Sequence, residues 1–183
     1  GIINTQSHLN ASFAAANPSS GNIAFVSQSG ALGSAILNWA IQKDVGFTSF
    51  VSLGNESDLN TADFLEALAE DNQTKAIGLY IEGVKEGERF LEVARETSTK
   101  KPIITLKAGT TDIGVRAVSS HTGSLAGSDT AFTAAFRKTG VLRVNTLEEL
   151  FDLVLAFEEQ PLPKGKNILI ITNGGGPGIL TAD

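Results

Sequence analysis

The sequence predicts an α/β protein in which a parallel five-stranded sheet is covered by helices on both faces. From Asn22 onward, short runs of β-branched and aromatic residues alternate with amphipathic helical stretches, which is the pattern of strand–helix units in such a sheet. Two of the runs, residues 76–81 and 103–106, are almost continuously apolar, as expected for strands buried on both faces. A chain of 183 residues is long enough to bury one complete core of this kind.

The first two units occupy residues 23–68. The first strand spans residues 23–26 and leads to a helix whose apolar positions are Leu32, Ile36, Leu37 and Ala40. Gly46 then turns the chain into a second strand at residues 47–51. A polar loop at residues 52–60 leads to a second helix, and the apolar face of that helix is narrow, with Phe64, Leu65 and Leu68.

The remaining units follow the same pattern. A helix around residues 88–97 connects the third strand, 76–81, to the fourth, 103–106. Ser128 is predicted to cap a helix that runs to about Lys138 and ends at Gly140, before a fifth strand at residues 141–144. Residues 146–149 form a predicted capping box, and the helix that they begin ends before Pro161 and Pro163.

Composition along the chain predicts three segments. Residues 1–21 are rich in Asn, Ala and Ser without sustained periodicity, so they are predicted to be an incoming linker, and residues 22–160 are predicted to form the main domain. In the last segment, residues 161–183, we expect a linker, a buried strand at 166–172 and the start of a helix in the glycine-rich residues 173–178. Because the sequence ends before that helix is complete, we expect the chain to be a piece of a longer protein.

Composition also excludes several function classes. A net charge of -6 and a pI near 4.9 leave no broad basic surface for the phosphates of a nucleic acid. No apolar run approaches the roughly 20 residues of a membrane helix, and the pattern of a secretory signal is absent, so a soluble, cytoplasmic protein without membrane association is expected. With no cysteine and two histidines far apart, we predict no metal site.

Residues 118–127 are the strongest candidate for chemistry. His8 and His121 are the side chains of this chain that ordinarily titrate near neutral pH, and His121 alone is predicted to lie in a loop of small residues. There, Gly123 allows close backbone approach and Ser124 offers a donor for an anion. Neutral imidazole is nucleophilic, so a phosphorylated histidine suits this environment. The alternative is an exposed loop histidine without a role.

A second candidate is the junction between the first strand and its helix. Free backbone N–H groups and the helix dipole favour an anion at such a junction, ligands gather there in parallel sheets, and Ser29 adds a hydroxyl donor beside Gly30. Phosphate binding is one interpretation. The other is that Ser29 merely caps the helix and Gly30 eases its packing against the sheet.

Two further candidates follow other strands. Glu82 follows the apolar third strand, where its carboxylate could fix the imidazole tautomer of a histidine and stabilise the cationic phosphorylated form, although a solvated strand-end glutamate is the alternative. The polar loop at residues 54–58 follows the second strand. Its Asn55 and Asp58 could contact a substrate, or the loop could be an ordinary turn.

Five segments, taken in order, resemble the NDP-forming acyl-CoA synthetases, a family that includes ADP-forming acetyl-CoA synthetases and the α subunit of succinyl-CoA synthetase. The segments are GNIAFVSQSG at 21–30, SLGNESD at 52–58, Glu82, SHTGSLAG at 120–127 and TNGGGPG at 172–178. The resemblance implies that the main domain is flavodoxin-like. It also implies that residues 161–183 contain the first strand of a second, truncated flavodoxin-like subdomain.

The resemblance implies a reversible ligase that converts acyl-CoA, phosphate and ADP to free acid, CoA and ATP through a phosphohistidine. His121 matches the phosphorylated histidine, Glu82 matches the carboxylate that hydrogen-bonds it, and Ser29 with Gly30 matches the helix start that receives phosphate. The CoA-binding domain and the ATP-grasp nucleotide-binding domain of the family are missing from this sequence. We therefore expect the CoA contacts, the magnesium ligands and the nucleotide pocket on missing segments or on a partner subunit, and we do not expect this piece to be active alone.

Two interpretations from other classes stay open. One is a regulatory acyl-CoA-sensing module of a synthetase-like protein acetyltransferase, although such proteins often lack the histidine. The other is a flavodoxin-like scaffold for a partner chain, which would bind neither phosphate nor acyl-CoA. The identity of the acid and the choice between ADP and GDP are not encoded in any residue that the sequence singles out.

Overall fold

The computed structural model describes residues 1–15, 17–122 and 128–183, with the backbone alone for residues 119–122. These residues form seven strands and seven helices. The strands are β1 (Ile2–Asn4), β2 (Leu9–Ala11), β3 (Ser20–Ser27), β4 (Phe47–Ser52), β5 (Ala76–Ile81), β6 (Ile103–Lys107) and β7 (Leu142–Val144). The helices are α1 (Gly30–Gln42), α2 (Thr61–Glu70), α3 (Gly87–Lys100), α4 (Asp112–Thr122), α5 (Asp129–Thr139), α6 (Leu147–Glu159) and α7 (Gly175–Ala182).

All seven strands belong to one sheet, in the order β2-β1-β4-β3-β5-β6-β7. The strands from β4 to β7 in that order are parallel to one another, and they are the five strands that the sequence predicts. Numbered by their appearance in the chain, these five strands have the spatial order 2-1-3-4-5, which is the flavodoxin-like arrangement. The predicted fold class is confirmed.

The N-terminal segment differs from its prediction as a linker. β1 pairs antiparallel with β4, where Ile3 lies opposite Phe50, and β2 pairs with β1. Ile3 is buried, and the hydroxyl of Thr5 donates to the carbonyl of Phe47 at 2.6 Å. Two three-residue strands are too short to show a periodicity in the sequence, so pairing with β4 decides their structure.

Helices cover both faces of the sheet. α1 and α6 bury Ile36, Leu37, Ala40, Leu150, Phe151 and Val154 on one face, and α2, α3 and α5 bury Leu65, Leu68, Phe90, Ala94 and Phe136 on the other. On the first face, Phe25 stacks against Phe50 and Phe151 with ring centroids 5.4 and 6.4 Å apart. Gly78 of β5 makes room for this stack, because a Cβ at that position would lie 2.8 Å from the Phe25 ring.

Most predicted helix ends are present. Ser29 caps α1, and Gly140 ends α5 in the left-handed conformation with φ +76°. The predicted capping box of α6 is half formed, because Thr146 accepts from the N–H of Glu149 while the Glu149 carboxylate accepts from the N–H of Asn145 instead of Thr146. Ser128 precedes α5 at the capping position, but its side chain makes no capping hydrogen bond within the described part of the chain.

The C-terminal segment forms only part of what the sequence predicts. Residues 166–172 are not a strand, since among the described residues no strand lies beside them to complete a ladder. Their apolar side chains are exposed, with Ile168 and Ile171 each 87% exposed. The helix that the glycine-rich residues predict does form, as α7.

Candidate active site

The carboxyl ends of β3 and β5 meet at the position where the strand order reverses direction. The chain leaves β3 toward β4 on one side, and β5 adds to β3 on the other side. In open α/β sheets this reversal leaves a crevice outside the carboxyl ends of the strands, and ligands bind there. Ser29 follows β3 and Glu82 follows β5, so the fold brings these two predicted site residues to the same edge.

The beginning of α1 combines a cap with open space. The Ser29 side chain accepts from the N–H of Leu32 at 3.3 Å, so the predicted capping role is present. A hydroxyl that accepts in this way still has its hydrogen to donate to an anion. Gly30 is exposed, and a Cβ there would meet only the Ser52 hydroxyl at 3.6 Å. Packing against the sheet therefore does not require glycine at this position, and the first residues of the helix, Gly30 and Ala31, are exposed.

Glu82 is buried, with 6% of its surface exposed. The alternative of a solvated glutamate at a strand end is therefore wrong, because the fold encloses this residue. Glu82 interacts electrostatically with two neighbours on the sheet. Burial raises the pKa of Tyr80, and the Glu82 carboxylate raises it further. Glu82 also acts to raise the pKa of Lys107. A carboxylate that is shielded from water acts strongly on an imidazolium beside it.

Lys107 ends β6 and is 3% exposed. Its ammonium donates to the carbonyl of Ala108 and lies 4.6 Å from the centre of the Phe132 ring. Burial lowers the pKa of Lys107, Asp129 and Glu82 act in the opposite direction, and Arg143 reinforces the lowering. Arg143 itself pairs with Asp129 at 2.6 Å, at the beginning of α5. Lys107 therefore lies near Glu82, and Arg143 is paired at the beginning of α5.

The segment predicted to be a loop, residues 118–127, is partly helical. α4 extends to Thr122, so His121 lies in its last turn, and the loop prediction is wrong for residues 118–122. The reason is a good helix start, in which the Thr111 hydroxyl accepts from the N–H of Gly114 at 3.1 Å and Asp112 occupies the first turn. The side chain of His121, and the predicted phosphate ligands Gly123 and Ser124, lie outside the described residues.

α4 folds back onto the loop that follows β6. A Cβ on Gly109 would lie 3.0 Å from the Val118 side chain, and a Cβ on Gly114 would lie 3.1 Å from the Cα of Gly109. Gly109 also has φ +68°, a conformation that favours glycine. The crossover between β6 and β7 is completed by α5, which packs against α3 and β7. α4 is therefore an additional helix, and it contacts the loop that follows the carboxyl end of β6.

The loop at residues 54–58 lies at the same edge. Asn55 and Asp58, the candidate substrate contacts, are exposed. Between them Glu56 is buried and has φ +51°. Its carboxylate accepts from the N–H and the hydroxyl of Thr61 at 2.9 and 2.6 Å, and the Lys85 ammonium donates to the carbonyls of Asn55 and Glu56 at 2.7 and 2.8 Å. The loop is therefore a turn that is anchored to the edge through Glu56 and Lys85.

Sequence reasoning did not single out three residues of this edge, Gln28, Glu56 and Lys107. Lys107 directly follows the predicted apolar strand at residues 103–106, as Glu82 follows the one at 76–81, and the same rule could have found it. Gln28 and Glu56 are polar residues in polar segments, and nothing in their local pattern indicates burial. The other histidine, His8, is exposed in the turn between β1 and β2, far along the sheet from β5.

Two features are absent among the described residues. None of the described helices is long and apolar enough to cross a membrane. The same residues contain no group of three or more His, Asp or Glu side chains placed to hold a metal ion.

A flavodoxin-like sheet with a polar carboxyl edge of this kind agrees with the family comparison. Residues 20–157 match the family model of the succinyl-CoA ligase like flavodoxin domain. The chain belongs to this family, and the resemblance to NDP-forming acyl-CoA synthetases that its motifs predict is confirmed.

Individual relatives are similar to the whole chain. The chain is 54% identical over all its residues to subunit alpha of the ADP-forming acetate–CoA ligase II of Pyrococcus furiosus, and it covers 40% of that protein. It is 41% identical to the ADP-forming 4-hydroxybutyrate–CoA ligase of Nitrosopumilus maritimus, of which it covers 27%. The chain thus spans well under half the length of these relatives.

A solved structure resembles the fold closely. It is the dinucleotide forming acetyl-coenzyme A synthetase 1 of Ca. Korarchaeum cryptofilum in complex with phosphate and ADP. The two structures agree with a TM-score of 0.90 and 41% sequence identity, over 98% of this chain and 39% of the other.

Proposed function

We propose that this chain is the phosphohistidine-bearing part of an NDP-forming acyl-CoA synthetase. The complete enzyme would interconvert acyl-CoA, phosphate and ADP with free acid, CoA and ATP. Within the chain, residues 22–160 would form the working domain, and residues 161–183 would begin a second flavodoxin-like subdomain. Relatives that are named ADP-forming acyl-CoA ligases and match the chain along its whole length support this proposal.

One structural observation carries the proposal. The buried carboxylate of Glu82, the accessible first turn of α1 and the helix that contains His121 converge on one edge of the sheet, at the place where a flavodoxin-like fold binds ligands. In this proposal Glu82 accepts a hydrogen bond from one imidazole nitrogen of His121. That bond fixes the tautomer, and the other nitrogen is left free to attack.

The chemistry transfers one phosphoryl group twice, first from an acyl phosphate to His121 and then from His121 to ADP. Phosphate displaces CoA from the acyl group and gives an acyl phosphate. The free imidazole nitrogen of His121 then forms a bond to phosphorus while the bond from phosphorus to the acyl oxygen breaks, so the free acid leaves as a carboxylate. ADP finally takes the phosphoryl group from the histidine and becomes ATP. Glu82 stabilises the imidazolium character that exists between these two steps.

The phosphoryl group needs donors while it is near the edge. Ser29 and Gly30 at the start of α1 would supply a hydroxyl and backbone N–H groups, aided by the dipole of a thirteen-residue helix. Gly123 and Ser124 would supply further donors from the histidine segment. The buried cation of Lys107 adds positive potential beside Glu82.

The other substrates require parts that this sequence does not contain. We propose that an ATP-grasp subunit or fused domain binds ATP, ADP and magnesium, and that a separate CoA-binding domain holds CoA. Asn55 and Asp58 are candidates for contacts to the small acid, because their loop is anchored at the same edge. We also propose that the enzyme works in the cytoplasm, where its nucleotide and CoA substrates are available.

Labelling tests this function directly. The complete enzyme, as wild type and as His121→Ala, would be incubated with γ-labelled ATP and magnesium and then exposed to acid or to alkali. Phosphohistidine is labile to acid and stable to alkali. We expect such a label in the wild type and its loss in His121→Ala, whereas His8→Ala keeps it. An enzyme that binds ATP yet carries no such label would contradict the proposal and favour a regulatory acyl-CoA-sensing module.

A further inference from the structure

The side chain of Gln28 is buried, at 7% exposure, and its amide is fully engaged. Its Oε1 accepts from the backbone N–H groups of Glu82 and Gly83 at 2.6 and 3.1 Å. Its Nε2 donates to the carbonyl of Gly83 at 2.8 Å, to the Glu56 carboxylate at 2.9 Å and to the Thr61 hydroxyl at 3.3 Å. Because two N–H groups face Oε1, and a backbone carbonyl and a carboxylate oxygen that accepts from Thr61 face Nε2, the surroundings define the orientation of the amide.

These bonds replace strand pairing at a position where the ladder stops. The last paired residues of β3 and β5 are Ser27 and Tyr80, followed by one hydrogen bond from the N–H of Gln28 to the carbonyl of Tyr80 at 3.1 Å. Beyond this hydrogen bond, the Gln28 side chain replaces the backbone of β3 as the partner of Glu82 and Gly83, the residues that follow β5. The backbone of Glu82 is therefore fixed by a side chain.

The far side of the amide is anchored as firmly. The Glu56 carboxylate accepts from the N–H and the hydroxyl of Thr61. The Lys85 ammonium donates to the backbone carbonyls of Asn55 and Glu56 in the same loop. Gln28 thus joins three chain segments that meet at the edge: the end of β3, the loop at residues 54–58 and the end of β5.

We propose that Gln28 is a positioning residue for Glu82, which it holds at the carboxyl edge by bridging the Glu82 backbone to the Glu56 anchor. This inference rests on the function proposed for Glu82. It goes further, because it assigns the correct position of the Glu82 carboxylate to Gln28, a residue that does not touch the reacting atoms. A misplacement of about 1 Å at a reacting group can cost roughly 100-fold in rate. A hydrocarbon side chain at position 28 would also leave the N–H groups of Glu82 and Gly83 without their acceptor.

The test is a double-mutant cycle in the complete enzyme. The rate of phosphohistidine formation from γ-labelled ATP would be measured for wild type, Gln28→Met, Glu82→Gln and the double variant, together with the KM for ATP and the thermal unfolding midpoint. We expect Gln28→Met to lower the rate roughly 10- to 100-fold with little change in KM. Because Gln28 acts through Glu82, the double variant should be no slower than Glu82→Gln alone. Losses that multiply in the double variant would overturn the proposal.

Thr61→Val separates the two ends of the bridge. It removes a hydroxyl that donates to Glu56 and accepts from Gln28 at 3.3 Å, and it leaves both N–H contacts of Gln28 to the end of β5. We expect this variant to lose clearly less of the rate than Gln28→Met, since the Glu82 backbone is still held. A loss as large as that of Gln28→Met would assign the effect to the loop at residues 54–58 and overturn the proposal.

A second variant covers the case in which Gln28→Met does not fold. Gln28→Asn keeps the amide but shortens the side chain by one methylene, so it cannot reach the N–H groups of Glu82 and Gly83 and the Glu56 carboxylate together. This variant should also form phosphohistidine more slowly than wild type, and a rate equal to that of wild type would overturn the proposal. The two proposals fail differently: a wild type without acid-labile label overturns the phosphohistidine, whereas multiplying losses in a labelled enzyme overturn only the role of Gln28.

Discussion

The two faces of the sheet and its carboxyl edge are similarly buried, but they bury different chemistry. Phe25 and Leu65 on the faces are 1% and 0% exposed and are surrounded by apolar side chains. Gln28, Glu82 and Lys107 at the edge are 7%, 6% and 3% exposed. Burying polar and charged groups costs free energy unless they are well bonded, so the edge gains less stability from its burial than the faces do. The faces therefore supply stability and the edge supplies a preorganised polar site.

A truncation on the face should have the largest effect on stability. Phe25→Ala removes a ring that stacks against Phe50 and Phe151, and it should lower the free energy of unfolding by about 3–5 kcal/mol. Denaturant unfolding monitored by circular dichroism measures this loss. Phe13→Ala, at an exposed position, is the control and should change stability by less than about 0.5 kcal/mol. Equal losses in the two variants would remove the distinction between face and surface.

At the edge, Glu82→Gln should separate activity from stability. The neutral amide can no longer stabilise a cationic imidazole, so phosphohistidine formation should slow by roughly 100-fold or more, while the protein stays folded. Single-turnover labelling gives the rate, and thermal unfolding gives the stability. Glu88→Gln, an exposed substitution in the first turn of α3, should leave both values unchanged. A Glu82→Gln protein that labels at the wild-type rate would exclude Glu82 from the mechanism.

Ser29 belongs to both regions, because it caps α1 and also lies at the proposed phosphate site. Ser29→Ala should cost about 1 kcal/mol of stability through the lost cap and should also raise the KM for phosphate in the acyl-CoA direction. Ser34→Ala, on the exposed side of the same helix, serves as the comparison and should change neither property. A KM for phosphate that is unchanged in Ser29→Ala would restrict Ser29 to the cap.

Lys107 should show the smallest effect, and it should depend on pH. Burial lowers its pKa in the folded protein below the 10.5 of the unfolded chain, so the charged ammonium is less stable in the folded state than in the unfolded chain. Lys107→Met should therefore raise the free energy of unfolding by about 1 kcal/mol at pH 7. As pH rises through the folded pKa toward 10.5, the wild type loses its proton first in the folded state, and its stability should approach that of the variant.

Urea unfolding of both proteins between pH 7 and 10.5 checks the prediction for Lys107. Lys164→Met, which changes an exposed lysine, should show a difference from wild type that is small at every pH. A stability difference for Lys107→Met that stays constant across this range would contradict the account of a lysine whose charge is destabilised by burial. A simultaneous loss of activity would explain why the protein retains a destabilising residue.

The same comparison explains which parts of the fold could be predicted. The five parallel strands are short apolar runs between turn residues, and burial on both faces produces that pattern directly. β1 and β2 have too few residues to carry a pattern, and their structure depends on an edge of β4 that the sequence does not reveal. Residues 166–172 have the pattern of a buried strand, but a strand also requires a neighbour, and none of the described strands lies beside them.

The site was predictable where position alone decides it. Glu82 and Ser29 could be selected because each follows a strand, and parallel strands bring their carboxyl ends together. His121 could be selected for its chemistry, but its helical setting could not, because the cap at Thr111 and the close contact between Gly109 and Gly114 extend the helix. Gln28 could not be selected at all, because its role depends on segments far along the chain.

The central claim is that the carboxyl edge carries phosphoryl transfer through His121. Rapid-quench kinetics of the complete enzyme test it most directly, by following label on His121 as it forms from γ-labelled ATP and as unlabelled ADP discharges it. The account predicts that formation and discharge are each at least as fast as steady-state turnover, and that the label maps to His121. A phosphohistidine that forms or discharges more slowly than turnover would contradict the account.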